Sequence, residues 1–183
     1  MSQRPSGYER QPDDVYETPP WVTQVVAPYL RKHCLCLWDP ANGPASKIAC
    51  VLRNEGFHVS ATNDNFLDRT SRPSSRVDGI CTNPPYGIGG RLACQFIAHA
   101  LELVPSVAML LRIDFDSGKT RTHLFRDCTS FERKIVLLDR IVWFEREGAP
   151  GPSENHAWFV WNRRHQGPPI ISYADKNGTN TVS

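Results

Sequence analysis

Four consecutive residues, Asn83-Pro84-Pro85-Tyr86, have the groups needed to hold a planar amino group. Each proline fixes its own φ angle and lacks an N–H donor, and the proline after Asn83 biases that residue toward an extended conformation. We therefore expect the carbonyls of Asn83 and Pro84 to have no local partner. An Asn side-chain oxygen and a backbone carbonyl can together accept both hydrogens of an NH2 group, and Tyr86 offers a flat face to a planar ring. This combination suits chemistry on an exocyclic or amide nitrogen.

The residues around this segment predict how it is positioned. A short apolar run at 77–82 precedes it and a glycine-rich stretch at 87–90 follows it, which indicates a strand, a rigid turn and a flexible loop. A second polar segment, 39–45, follows another apolar run at 35–38. In parallel sheets, ligands bind beyond the carboxyl ends of the strands. We therefore expect the segments 39–45 and 83–86 to meet in one site.

The remaining apolar patterns alternate between strand and helix. Thr18 is a plausible N-cap and Pro19 suits the first turn of a helix whose apolar residues continue to Leu30. The other predicted helices cover 45–55, 91–104 and, more briefly, 119–126, and the predicted strands cover 35–38, 57–62, 77–82, 107–113, 134–138 and 157–161. This alternation indicates an α/β fold with a doubly wound, mostly parallel sheet. A length of 183 residues, 40% of them hydrophobic, favours one domain.

Composition narrows the possible functions only slightly. The net charge of +2 is compatible with nucleic-acid binding but does not argue for it, because that inference needs a concentrated basic face. No apolar run has membrane-spanning length and the polar start is no signal peptide, so we expect a cytoplasmic protein without a membrane partner. The six cysteines lack zinc-site spacing, so we expect buried, reduced, structural thiols and no metal.

The segment 83–86, with its preceding strand and following loop, resembles the catalytic motif of class I S-adenosylmethionine-dependent methyltransferases that act on amino groups. The order of the segments 16–19, 39–45 and 83–86 is similar to that of small phage or prophage DNA adenine-N6 methyltransferases. The resemblance covers roughly 16–161. It implies a Rossmann-like single domain whose last strand is antiparallel. The domain boundaries that follow are a flexible N-terminus at 1–14, a methyltransferase domain at 15–162 and a polar, flexible tail at 163–183.

The resemblance also implies S-adenosylmethionine as cofactor. Segment 39–45 then wraps its methionine part, segment 16–19 closes over that end, and Asn63 binds the ribose hydroxyls while 65–67 contacts the adenine. The implied cofactor-binding residues are Tyr16, Thr18, Pro19, Asp39, Pro40, Ala41, Gly43, Asn63, Asp64, Asn65 and Phe66.

The implied catalytic residues are Asn83, Pro84, Pro85 and Tyr86. Asn83 and Pro84 would accept both hydrogens of an adenine amine and so free its lone pair for direct, in-line methyl transfer without a metal. The base would be flipped out of the duplex and stacked on Tyr86. DNA is therefore the expected partner. The chain has no obvious target-recognition domain, so recognition would come from loops such as 140–155, a second copy of the chain or a separate partner.

Three departures from the family pattern keep other functions open. Ala45 replaces a usual glycine, Asn63 replaces a usual acidic residue that Asp64 is placed to substitute, and Asn65 stands where Asp is common. Protein glutamine and RNA methyltransferases use closely similar motifs, so the acceptor can be a glutamine or an RNA base. A degenerate methyltransferase fold with a binding or regulatory role is the third hypothesis.

Two further groups of residues have competing interpretations. Trp143, Trp158, Trp161, Phe115 and Phe144 are expected in the core, with a base-stacking surface as the alternative. The charges that follow the strand at 107–113 either contact phosphate or form a solvated loop; they are Arg112, Asp114, Asp116, Lys119 and Arg121.

Overall fold

The computed structural model describes residues 17–143 and 154–180. One sheet runs through both ranges. Its strands are β1 (Cys36–Asp39), β2 (His58–Ala61), β3 (Gly79–Thr82), β4 (Ser106–Arg112), β5 (Phe131–Leu137), β6 (His156–Asn162), β7 (Ile170–Asp175) and β8 (Gly178–Asn180).

The sheet has the order β2-β1-β3-β4-β6-β5-β7-β8. Strands β1 to β4 are parallel, and β6 runs antiparallel to both of its neighbours, β4 and β5. The chain leaves β1 toward β2 on one side and returns to β3 on the other, so the strand order reverses at this point. Such a reversal opens a crevice at the carboxyl ends of the two strands. The predicted doubly wound, mostly parallel sheet is confirmed, and the strand at 157–161, predicted to be the antiparallel last strand, is antiparallel but is followed by β7 and β8.

Within these two ranges, four α-helices accompany the sheet: α1 (Pro20–Gln24), α2 (Ala27–Leu30), α3 (Lys47–Asn54) and α4 (Arg91–Leu103). The single helix expected up to Leu30 is divided, because Pro28 lacks the N–H that would bond to the Gln24 carbonyl. The N-cap of α1 is Pro19 and no side chain caps it, so the predicted capping role of Thr18 is wrong. The predicted helix at 119–126 is a 3-10 segment, Lys119–Leu124.

Alternating side chains of the strands build one core on each face of the sheet. On β1, Leu37 packs toward α1, α2 and α3, whereas the next residue, Trp38, packs toward α4. The same alternation continues on β4, where Ala108 and Leu110 face the first core. The other side chains of β4 that lie in the second core are Val107, Met109 and Leu111. Burial on both faces explains why the central strands are almost continuously apolar.

The tryptophans of β6 are core residues, as expected from their strand positions. Trp158 and Trp161 are fully buried on opposite faces of the sheet. The indole N–H of Trp158 donates to the Val22 carbonyl at 2.7 Å, and that of Trp161 donates to the Leu124 carbonyl at the same distance. Phe115 is buried as well, Trp143 is partly buried, and Phe144 lies outside the described residues.

The cysteines are free thiols with differing exposure. Cys34 and Cys81 are buried as expected, and burial raises the pKa of the Cys34 thiol to about 12. Cys50 lies on the outer side of α3 and is exposed, so the expectation of burial is wrong for this residue. Within 17–143 and 154–180, no helix is long and apolar enough to cross a membrane.

The boundary at 162 needs correction, because the segment treated as a flexible tail adds two strands. β7 pairs in parallel with β5, and β8 returns antiparallel to β7. In β7, the small residues Ser172 and Ala174 are buried, whereas Ile171 and Tyr173 are exposed. Because this pattern is the inverse of the usual one, the hydrophobic residues do not predict the strand.

Arg163, also in the segment expected to be a flexible tail, donates to the carbonyls of Leu101 and Glu102, so it caps the end of α4.

Removing β7 and β8 tests this correction. A chain that ends at Gln166 should lose roughly 2–4 kcal/mol of unfolding free energy, because it loses buried side chains and the hydrogen bonds along β5. Urea denaturation followed by circular dichroism measures this. A chain that ends at Asn180 keeps every described strand and is the matched control. Equal stability of both truncated chains would show that 167–180 is a dispensable tail.

Candidate active site

The ends of β1 and β3 meet at the strand-order reversal, and one hydrogen bond joins them. The Thr82 hydroxyl, the last residue of β3, donates to Oδ1 of Asp39, the last residue of β1, at 2.6 Å. The Asn42 amide also lies 3.3 Å from the Thr82 oxygen. The expectation that segments 39–45 and 83–86 lie at one edge of the sheet is therefore confirmed.

The Asp39 carboxylate is fully buried and all its contacts are within the protein. It accepts hydrogen bonds from the Ser46 hydroxyl at 2.5 Å, the Asn42 amide at 3.0 Å and the Ala41 N–H at 3.3 Å, besides that of Thr82. Burial raises the pKa of this carboxyl, and the four hydrogen bonds oppose that shift. Asp39 therefore holds the loop in shape, and the expected direct contact between Asp39 and a cofactor does not fit this burial.

The loop after β1 approaches the end of β2 through Gly43. Gly43 has a φ of +71°, a left-handed conformation that glycine adopts without strain, and its N–H donates to the Thr62 carbonyl at 3.1 Å. A Cβ atom at this position would lie 3.4 Å from the Asn63 Cβ. Ser46 then caps α3 by accepting from the Ala49 N–H at 3.2 Å. Gly43 therefore lets the loop after β1 pass close to the end of β2.

An open cleft lies beside this loop. Its volume is about 400 Å³ including its mouth, and its lining includes Glu17, Thr18, Asn42, Ala45, Ser46 and Lys47. Glu17 and Lys47 form an ion pair across it. Thr18 is buried and Pro19 is half-buried, while Pro40 is buried and Ala41 half-buried. Tyr16 lies outside the described residues.

In the segment after β2, two residues predicted to bind the cofactor, Asp64 and Asn65, are bonded to neighbouring residues instead. Asp64 pairs with Arg69, and the hydrogen bond from Arg69 lowers the Asp64 pKa to about 2. Asn65 accepts from the Leu67 N–H at 3.3 Å and donates to Asp68 at 2.6 Å. Of the four predicted residues 63–66, only Asn63 is exposed without a hydrogen bond to another described residue.

Phe66 is a core residue in this structure, with 1% exposure. Its ring packs against Trp38 and Phe96 at centroid distances of 5.2 and 4.8 Å. The expected contact between Phe66 and a cofactor does not fit this burial, because the ring lies within the core.

The segment 83–86 exposes polar groups at the edge of the sheet. The half-buried Asn83 amide has no hydrogen-bond partner among the described residues, and neither its carbonyl nor that of Pro84 accepts a backbone hydrogen bond there. Pro84 is buried and Pro85 is exposed. This matches the expectation that the prolines leave acceptors free. Asn83 can therefore accept or donate toward a bound molecule without first breaking an internal bond.

Tyr86 is held from two sides. Its carbonyl accepts from the N–H groups of Leu92 and Ala93, at 3.2 and 3.4 Å, and so caps the start of α4. Its ring meets Phe115 edge-on at a centroid distance of 6.2 Å. The hydroxyl is buried near the Arg112 backbone, and burial raises its pKa above the usual range. Tyr86 is half-buried as a residue and packs against the second core.

The charges after β4 mostly contact other parts of the protein. Arg112 pairs with Glu154 at 3.1 Å, and Lys134 pairs with Asp116 at 2.8 Å. Arg121 donates to the Gly89 carbonyl at 2.9 Å. Arg112, Asp116 and Arg121 are therefore half-buried and held by these contacts, whereas Asp114 and Lys119 are exposed, as expected for a solvated loop. Sequence reasoning missed these contacts because the partners are distant in the chain.

His156 is a further residue at this edge that the sequence did not indicate. It begins β6 and pairs with Arg112, the last residue of β4, so it lies at the same end of the sheet as Asn83. Its ring meets Trp143 edge-on at 5.3 Å. Burial lowers the His156 pKa to about 4, so its imidazole is neutral at pH 7. A lone histidine in the sequence carries no signal of such burial.

Comparisons with known proteins agree with this architecture. No protein-family model and no curated protein matches the sequence. Among solved structures, a proposed class I S-adenosylmethionine-dependent methyltransferase of Listeria monocytogenes superposes with a TM-score of 0.64 at 13% identity, covering 88% of this chain and 67% of that one. Protein 1320 of Thermoplasma acidophilum gives a TM-score of 0.54 at 12% identity, covering 79% of this chain and 88% of that one.

The type IIG restriction endonuclease BpuSI also superposes with a TM-score of 0.54 at 12% identity. The match covers 85% of this chain and 26% of that enzyme. Identities this low establish the fold alone. The chain therefore has the class I S-adenosylmethionine-dependent methyltransferase fold.

Replacing Thr82 by Val tests the bond that joins the two strand ends. The variant keeps the shape of the side chain but removes a donor to a buried carboxylate, so we expect a loss of about 1–3 kcal/mol of unfolding free energy. Urea denaturation measures it, with the exposed Thr70→Val as control. If both variants lose the same amount, the bond from Thr82 to Asp39 does not stabilise the site.

The buried neutral imidazole of His156 predicts a pH dependence. Its pKa is about 4 in the folded protein and near 6.5 in the unfolded chain, so below pH 6.5 the unfolded chain binds the extra proton. Stability should therefore fall as the pH falls, by about 1.5 kcal/mol from this group between pH 6.5 and 5. Urea titrations at both pH values should show a smaller fall for His156→Gln than for the exposed His58→Gln. An identical fall would place the titration elsewhere.

Proposed function

We propose that this protein transfers a methyl group from S-adenosylmethionine to an exocyclic amino nitrogen, and that the acceptor is adenine N6 in DNA. The observation that carries the proposal is the position of Asn83. Its amide has no hydrogen-bond partner among the described residues and follows the end of β3, one residue from the hydrogen bond that joins this strand to the end of β1. The methyltransferase fold supports the proposal.

The residues at the crevice fit the methionine end of this cofactor. The cleft beside the loop after β1 carries both a carboxylate, Glu17, and an ammonium, Lys47, which would match the two charged groups of an amino acid. At the nucleoside end, only the Asn63 amide is ready to meet ribose hydroxyls. When bound, the cofactor supplies a methyl group that its sulfonium makes electrophilic.

The chain itself would hold the acceptor. The Asn83 side-chain oxygen and the Pro84 carbonyl would accept the two amine hydrogens, which directs the nitrogen lone pair out of the ring plane. The Tyr86 ring would support the face of the base. The proton that the nitrogen releases would pass to water, because amide and carbonyl oxygens accept hydrogen bonds but do not take up protons at neutral pH. Positioning is then the main catalytic contribution.

The adenine acceptor is supported by the resemblance of the segments and their order. A base in a duplex cannot reach a crevice at a sheet edge, so the target would be flipped out. The apolar Ile88, two residues after Tyr86, is 91% exposed and would be available to contact such a base.

Replacing Asn83 by Ala tests the proposal. Methyl transfer from labelled S-adenosylmethionine to DNA should fall by about 10²–10³, the scale of losing a preorganised hydrogen-bonding group. Calorimetry should show unchanged cofactor affinity. Asn54→Ala, an exposed change at the end of α3, is the control and should retain both properties.

The same assay offers DNA, RNA and protein extract together. Label in protein or RNA alone would refute the DNA acceptor, and equal loss of transfer and cofactor binding in Asn83→Ala would refute its assigned role. A non-catalytic binding role is the second candidate, favoured by the engaged Asp64 and the buried Phe66. Absence of cofactor binding by the natural chain at millimolar concentration would support that role.

A further inference from the structure

The loop that follows the proposed catalytic residues has little stiffness of its own. Gly87, Gly89 and Gly90 all have positive φ angles, at +62°, +63° and +77°. A Cβ atom on Gly87 would lie 2.8 Å from the Leu92 Cβ, so no other residue fits there without a shift. The remaining residue, Ile88, is 91% exposed and makes no core contact. Glycines lose the most conformational entropy on ordering, so this loop needs an external restraint.

Arg121, from the 3-10 segment Lys119–Leu124, supplies such a restraint. Its Nη2 donates to the Gly89 carbonyl at 2.9 Å, and its Nη1 donates to the Phe115 carbonyl at 2.9 Å. One guanidinium therefore bridges the glycine loop and the segment after β4. Gly89 and Arg121 are 32 residues apart, so this contact also fixes how two separate parts of the sheet edge lie against each other.

The guanidinium also stacks on an aromatic ring that reaches Tyr86. Its carbon lies 4.0 Å from the Phe115 centroid, and Phe115 meets Tyr86 edge-on. A Cβ atom on Gly90 would lie 3.0 Å from the Phe115 ring and 3.1 Å from Nη2 of Arg121. The absence of a side chain at Gly90 is thus what permits this packing. Arg121 contacts the loop directly and Tyr86 through one intervening ring.

We propose that Arg121 is a positioning residue that holds the loop 87–90 and, through Phe115, the ring of Tyr86 in the conformation that receives the acceptor. The catalytic part of this inference rests on the proposed function, whereas the restraint on the loop does not. The planar guanidinium of Arg121 donates two hydrogen bonds and stacks on Phe115 at the same time, and a lysine ammonium cannot make all of these contacts together.

The decisive variant is Arg121→Lys, which keeps the charge and removes the planar guanidinium. Hydrogen exchange of the amides at 87–92 should accelerate about tenfold or more, as expected for the loss of a hydrogen bond to a charged group. Amides of β4 should be unchanged, which shows that the fold is intact. The matched control is Arg126→Lys, since Arg126 is 76% exposed and pairs only with its neighbour Asp127 among the described residues.

Kinetics then separate positioning from substrate contact. For Arg121→Lys we expect kcat to fall about tenfold while KM changes less than twofold, the pattern of an interaction that matters in the transition state. The slope of the logarithm of the DNA-binding constant against the logarithm of salt concentration should not change. A slope reduced by about one, with unaltered exchange at 87–92, would show that Arg121 contacts phosphate instead and would overturn the proposal.

Unchanged exchange in Arg121→Lys would refute the restraint, whatever the activity. If the natural chain transfers no methyl group while exchange at 87–92 still accelerates in the variant, the proposed function fails and the restraint stands. Normal kcat with faster exchange would show that the restraint exists but does not position the acceptor site.

Discussion

The site depends on one buried carboxylate. Removing Asp39 from water is unfavourable, and four donors offset that cost. Two of these donors belong to the loop after β1, one is Ser46, the N-cap of α3, and one is Thr82 at the end of β3. Satisfying the charge thus requires all three segments to be in place together. This requirement links the crevice to the switch in strand order, since only neighbouring strand ends can reach the same two oxygens.

The predictions that succeeded rest on local chemistry that the sheet topology then combines. Apolar runs bounded by turn residues identified β1 to β6, and their alternation with helices predicted a parallel sheet whose strand ends converge. From this convergence, the meeting of Asp39 and Thr82 follows without any knowledge of their contact. The prolines at 84 and 85 predicted free acceptors because they remove donors, an effect that needs no tertiary information.

The predictions that failed depend on distant partners. β7 presents Ile171 and Tyr173 outward and buries Ser172 and Ala174, so its pattern opposes the usual one. Phe66 has the residue type expected beside an adenine ring, yet Trp38 and Phe96 cover it. Arg121 resembles any surface charge until its contact with Gly89 is known.

Asp64 and Phe66, two of the residues predicted to bind the nucleoside part of the cofactor, differ in the free energy needed to release them from their present contacts. The side chains of Asp64 and Arg69 are both partly exposed, and exposed ion pairs contribute little to stability. Ribose hydroxyls could therefore replace Arg69 as partners of Asp64 at little cost, which would restore an acceptor beside Asn63. Phe66 is different, because exposing a buried ring costs on the order of 1.5–3 kcal/mol. A ligand at this end can thus recruit the carboxylate more readily than the ring, and its adenine would have to be recognised by other side chains than Phe66.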